Sequence, residues 1–152
     1  MPRVAAKRYY PYHRVLIRYS ARTLLGESTL KISCIVDART GVASTVDPFE
    51  IEEVEVAEDE VIIDVIGEAE ARRIAESYVA YVVRNRRKAL VVPKTEVLEH
   101  GVVHRPFWIV RCEDGSTAPF RVLVDGITGG FHVLHETLRS EKLSKTTIDV
   151  SA

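Results

Sequence analysis

Cations and aromatic rings are packed most densely in Lys7-Arg8-Tyr9-Tyr10-Pro11-Tyr12-His13-Arg14. That mixture suits single-stranded nucleic acid, whose phosphates attract Lys and Arg while its bases stack on aromatic faces. Arg84-x-Arg86-Arg87-Lys88 forms a second basic cluster. A structural explanation competes for both: tyrosines pack at strand edges, and arginines at a helix end complement its dipole and pair with nearby acids. The candidate binding residues are therefore Lys7, Arg8, Tyr9, Tyr10, Tyr12 and Arg14, with Arg84, Arg86, Arg87 and Lys88.

Other reactive side chains are poorly placed for chemistry. His132-x-x-His135 falls on a short strand, where residues three apart point to opposite faces, a poor geometry for one metal. His100-x-x-x-His104 would suit a helix, but Gly101 and the β-branched Val102-Val103 indicate turn and strand. Cys34 and Cys112 lie far apart without CxxC spacing, which reads as two small core residues and leaves a disulfide open. Asp37 and Asp125 each open an Asp-x-x-Thr-Gly turn, where Asp stabilises the turn itself. Phosphate loops, HExxH helices and GxSxG elbows are all missing. We expect no catalytic, metal or cofactor-binding residues, and a protein that is not an enzyme.

Period-two alternation predicts a first strand over Tyr9–Tyr19, a second over about Thr29–Asp37 and a short third over Val42–Val46, which Asp47-Pro48 ends. The connection between the first two is placed near Leu25-Gly26-Glu27-Ser28. Glu50–Glu60 reads as an acidic edge strand or extended segment with a turn at Glu58-Asp59-Glu60, and Val61–Ile66 as a further apolar run. Between Gly67 and Arg87, the residues Ala71, Ile74, Ala75, Tyr78, Val79, Val82 and Val83 make one continuous stripe, which predicts a helix over about 69–88. Ala89–Val97, Val102–Cys112, Ala118–Asp125 and Phe131–Leu134 read as strands, joined near His100-Gly101, Asp114-Gly115-Ser116 and the Asp125 turn. After Glu136 a short helical turn and a loose tail are expected.

The chain carries a duplication. Pro11-Tyr12-His13-Arg14-Val15 leading to Val36-Asp37-Ala38-Arg39-Thr40-Gly41 matches Pro106-Phe107-Trp108-Ile109-Val110 leading to Val124-Asp125-Gly126-Ile127-Thr128-Gly129. This implies one domain over 1–152, with a first hairpin unit at 9–46, an acidic connection at 47–67, a helix plus second hairpin unit at 68–135 and a tail at 136–152. The helix precedes the second unit and is expected to cover its sheet. Unless the sheets merge or the helix covers both, the first unit keeps a bare apolar face, for which a homodimer is the simplest remedy. Helix, strand, hairpin and Val-Asp-Gly-x-Thr-Gly resemble the PepSY family and, more broadly, cystatin-like α+β folds, best over 68–135. The resemblance implies an antiparallel sheet on one helix and a non-catalytic module that binds protein partners.

The chain has 152 residues and a formal net charge of −1, so it offers no global attraction to nucleic acid or to an anionic membrane. Charge is nevertheless segregated: residues 47–70 hold eleven acids and no base, and residues 1–40 hold eight bases and two acids. Gln is absent, Asn85 is the single Asn and Met1 the single Met, a depletion found in thermophile proteins, whereas the excess of Arg over Lys also fits high-GC coding. No stretch is long and apolar enough for a membrane span, and Met1–Arg8 is too polar for a signal peptide, so a cytoplasmic protein is expected. These features point to a dimeric interaction module with an unidentified protein partner. The alternative is a nucleic-acid-binding accessory protein.

Overall fold

The computed structural model describes residues 1–87, 93–113, 115 and 118–134, and the main chain only at Arg87. Six antiparallel strands form one sheet: β1 (Arg3–Thr23), β2 (Gly26–Asp37), β3 (Ala43–Thr45), β4 (Lys94–Cys112), β5 (Phe120–Asp125) and β6 (Phe131–Leu134). Their order is β3-β2-β1-β4-β5-β6, and one helix, α1 (Glu68–Arg87), packs on a single face. The class is α+β.

Alternation in β1 decides the core. Val15, Ile17 and Tyr19 point under α1 and meet Cys34 and Val36 of β2 with Ala75, Val79 and Val83 of the helix stripe. Arg14, Leu16 and Arg18 take the opposite, helix-free face. Ala71, Ala75 and Val79 are fully buried, as a stripe at helical spacing requires.

Several elements differ from expectation. β1 and β2 run further, joined by a turn at Leu24-Leu25, because twelve consecutive cross-strand pairs from Tyr12↔Asp37 to Thr23↔Gly26 carry the hairpin out into solvent. No break occurs at His100-Gly101. β4 continues through it, and the slip between the pairs Leu16↔Glu99 and Ile17↔Val97 leaves Leu98 as an extra residue in a bulge. Val61–Ile66 is not a strand; a single parallel bridge joins Val61 to Tyr9 where β2 has already ended. Residues 47–57 form no regular structure, and a 3-10 turn at Glu58–Glu60 follows. The expected strand residues 89–92, the turn residues Asp114 and Ser116, His135 and the tail 136–152 lie outside the described residues.

The two hairpin units merge through β1 and β4 into one sheet. The repeat equates Pro11 with Pro106, hence Tyr10 with Arg105, and these two residues face each other directly across the β1–β4 pair. The units are therefore related by an approximate twofold axis at that pair. Equivalent backbone bonds repeat: Ala38 N–H to Pro11 O at 3.2 Å and Gly126 N–H to Pro106 O at 2.8 Å, Gly41 N–H to Asp37 O and Gly129 N–H to Asp125 O, each at 2.9 Å. At the shorter contact a Cβ on residue 126 would stand 2.8 Å from the Pro106 carbonyl, so glycine is required.

The helix breaks this symmetry in an unexpected direction. It reaches β1, β2, β3 and β4 but neither β5 nor β6, so it covers the first unit rather than the second. The cause is the antiparallel β1–β4 pairing, which lays the start of β4, just downstream of α1, beside the far half of β1.

Candidate functional site

Strand alternation divides the N-terminal candidates between two faces. Lys7 and Tyr9 lie on the helix side, where the Lys7 ammonium stands 4.9 Å from the Tyr9 ring centre and 4.6 Å from that of Trp108. Arg8, Tyr10, Tyr12 and Arg14 lie on the opposite face. There Tyr10 packs on Tyr12 and, edge-on, on Phe107, with ring centres 5.3 and 6.4 Å apart. Arg14 pairs with Glu99 at 3.1 Å, and Arg8 donates to the Lys7 carbonyl at 2.8 Å. Among the described residues no hydrogen bond, ion pair or ring contact joins these residues to the helix-end arginines. Arg84 is exposed near the end of α1, Arg86 lines a groove described below, and Lys88 lies outside the described residues.

The two repeat aspartates are held alike. Asp37 accepts from the Arg39 and Thr40 N–H groups at 2.8 and 3.0 Å and from the Tyr10 hydroxyl at 2.9 Å. Asp125 accepts from Ile127 N–H at 2.9 Å and Thr128 Oγ1 at 2.7 Å, and the Arg105 guanidinium grips it bidentately. Burial works to raise the Asp125 carboxyl, but Ile127, Thr128 and Arg105 together outweigh it and hold it below the ordinary carboxylate range. Burial and then Asp37 raise the Tyr10 phenol. Both carboxylates are engaged by their own turns and clasping residues.

A histidine chain fastens the entry to α1. His13, 1% exposed, lies 2.6 Å from the Ile66 carbonyl through Nε2. A carbonyl only accepts, so Nε2 carries the proton and Nδ1 is left to accept from His100 Nε2–H at 2.8 Å. Glu68 stands 3.7 Å from the other His100 nitrogen. Burial lowers the His100 pKa, with His13 and Arg72 adding to that and Glu68 opposing it. Burial pushes the Cys34 thiol up to about 11; it and the half-buried Cys112 are both free.

The exposed chemistry lies at the edge of β2. β3 pairs with only Cys34, Ile35 and Val36, and its last bond to β2 runs from Val46 N–H to Ser33 O at 3.0 Å. In this register the next donor along β3 would face Lys31, and that residue is Pro48, which has no N–H. The ladder stops there. Because Asp37 and Ser33 both bond outward and β2 has no bulge, Lys31, Thr29 and Glu27 also direct N–H and C=O outward, unpaired among the described residues. Alongside lies an open groove of about 620 Å³, with Leu30, Ile32, Val46, Val82 and Val83 in its apolar lining and Lys31, Asp47 and Arg86 as its charged residues. At the end of the same hairpin, Leu24 and Leu25 are 98% and 100% exposed.

The sequence singles out Arg86 only as part of a basic helix-end cluster, and singles out none of Glu27, Thr29 and Lys31. Pro48 was the available signal. In the sequence it ends β3, and its register opposite Lys31 shows which donor is lost.

Among the described residues no three His, Cys, Asp or Glu side chains are grouped to hold a metal ion, and no helix is long and apolar enough to cross a membrane. Comparison of the chain with protein-family models, with curated proteins and with solved structures gave no match.

Proposed function

We propose that this protein is a non-enzymatic interaction module that takes up an extended strand of a protein partner along the free edge of β2. The carrying observation is the halt of β3 at Pro48, which leaves a row of unpaired backbone groups beside an apolar groove. Main-chain hydrogen bonds to such an edge supply affinity, and alternate side chains entering the groove supply selectivity. Two cations, Lys31 and Arg86, against one acid, Asp47, in the lining favour an acidic strand. The PepSY-like and cystatin-like character of the hairpin units belongs to this reading, as does a cytoplasmic setting.

The nucleic-acid alternative has less support. Tyr10 lends its hydroxyl to Asp37, Arg14 its charge to Glu99, and Lys7 and Tyr9 lie on the other face from Tyr10 and Tyr12.

A fluorescein-labelled peptide of alternating valine and glutamate tests the proposal by anisotropy. Thr29→Pro removes an outward N–H without touching the backbone bonds to β1, losing only the long 3.5 Å hydroxyl contact with Ser20, at a position where an edge strand tolerates proline. We expect saturable binding, weakened at least about tenfold by Thr29→Pro and weaker for a valine-lysine peptide. No binding, or binding indifferent to Thr29→Pro, refutes the proposal.

A further inference from the structure

The β2 edge is complementary to itself. Laid antiparallel against a second copy and centred on Thr29, the outward residues meet as Thr29 with Thr29, Glu27 with Lys31 and Lys31 with Glu27. In this register all three outward residues fall at hydrogen-bonded positions, so each N–H and C=O left unpaired within one chain finds a partner in the other. The side chains of Glu27, Thr29 and Lys31 share the helix-free face, which places each Glu27 carboxylate directly across from a Lys31 ammonium. Neither residue has an ion-pair partner within its own chain among the described residues. No other centre sets Glu27 opposite Lys31. Centring on Lys31 sets the two lysines against each other and runs into Val46, while centring on Glu27 opposes two glutamates.

The exposed leucines follow from the same register. Continued past Glu27, it brings Leu25 and Leu24 level with Ser33 and Cys34 of the second copy, where Val46 and Thr45 already occupy the edge. The hairpin tip of each chain therefore abuts the other chain's Val46-Asp47-Pro48 corner. Two leucines left almost wholly in water by one chain acquire apolar neighbours in the pair.

We infer that the strand taken up at this site is β2 of a second copy, giving a twofold dimer whose two sheets join through their β2 edges. The inference rests on the strand-binding reading and specifies its partner. It also relocates the contact expected from sequence: the surface is a sheet edge beside the helix-covered unit and not a bare sheet face.

Charge reversal tests the register. Sedimentation velocity over about 1–300 µM should show a concentration-dependent dimer for the full chain. Lys31→Glu alone sets two glutamates opposite each other at both ends, and Glu27→Lys alone sets two lysines; each should raise the dimer dissociation constant about tenfold or more. The double variant Glu27→Lys with Lys31→Glu restores both pairs and should dimerise like the parent. Thr29→Pro should be monomeric, with an unchanged circular dichroism spectrum showing that it folds. A parent chain that stays monomeric, or a dimer indifferent to the single reversals and to Thr29→Pro, overturns the inference. If the chain is monomeric yet still captures the valine-glutamate peptide through Thr29, only self-pairing falls; loss of both removes the strand-binding reading as well.

Discussion

Asp37 and Asp125 perform one task in two units with different helpers, a neutral phenol on one side of the twofold axis and a guanidinium on the other. Tyr10→Phe leaves the Asp37 carboxylate, 8% exposed, with its two turn donors only, which should cost about 1–2 kcal/mol in urea denaturation. The pKa of Asp125 is held below the roughly 3.9 of an unfolded aspartate, so its stabilisation is full above that value and is lost as pH falls through the folded pKa. Asp125→Asn should flatten the loss of stability below about pH 4, as read by thermal melts. His100 loses stability over a higher pH window. Burial first of all depresses its folded pKa below the unfolded value of about 6.5, so the unfolded chain binds the proton more readily and stability declines as pH falls below that value. His100→Gln, which can still donate to His13, should flatten the profile between about pH 7 and 5. The turn role of both aspartates was legible because an Asx turn is local chemistry. Their clasping residues were not, since Tyr10 and Arg105 reach them across 27 and 20 positions of sequence.

At the scale of elements, Pro48 sets the character of the sheet edge. Pro48→Val supplies the missing donor opposite Lys31 in a residue that favours strands, so β3 should lengthen along β2 and shut the groove. We expect peptide capture and self-association to fall together in this variant, with the Lys31 region newly protected from proteolysis. Affinity equal to that of the parent would show that the edge beside Lys31 is not the contact. Helix α1 was readable almost to the residue, because its stripe is a one-dimensional pattern of period 3.6. The unit it would cover was not readable. That depends on the β1–β4 pairing, which brings residues more than seventy positions apart into register. The continuity of β4 through Gly101 was hidden for a related reason: glycine weakens a lone strand, whereas here the long β1–β4 ladder runs on through the Arg14↔Gly101 pair.

For the whole molecule, the duplication seen in sequence becomes a twofold sheet whose symmetry is broken twice, by a helix on one unit only and by a stopped strand at that unit's rim. The stopped strand leaves backbone donors and acceptors that an edge exposed to a crowded solution must either protect or use. In the proposed dimer Lys31 and Glu27 favour the Thr29-centred register of β2 against itself, since it alone sets these opposite charges across from each other. Residue-resolved amide hydrogen exchange along Glu27–Lys31, followed against protein concentration, tests this most directly. The account predicts that Ser28 and Leu30, which face β1, are protected at every concentration, while Glu27, Thr29 and Lys31 exchange freely in dilute solution and become protected together as concentration rises. Free exchange of those three amides at the highest concentration, or protection of them in the dilute monomer, would contradict it.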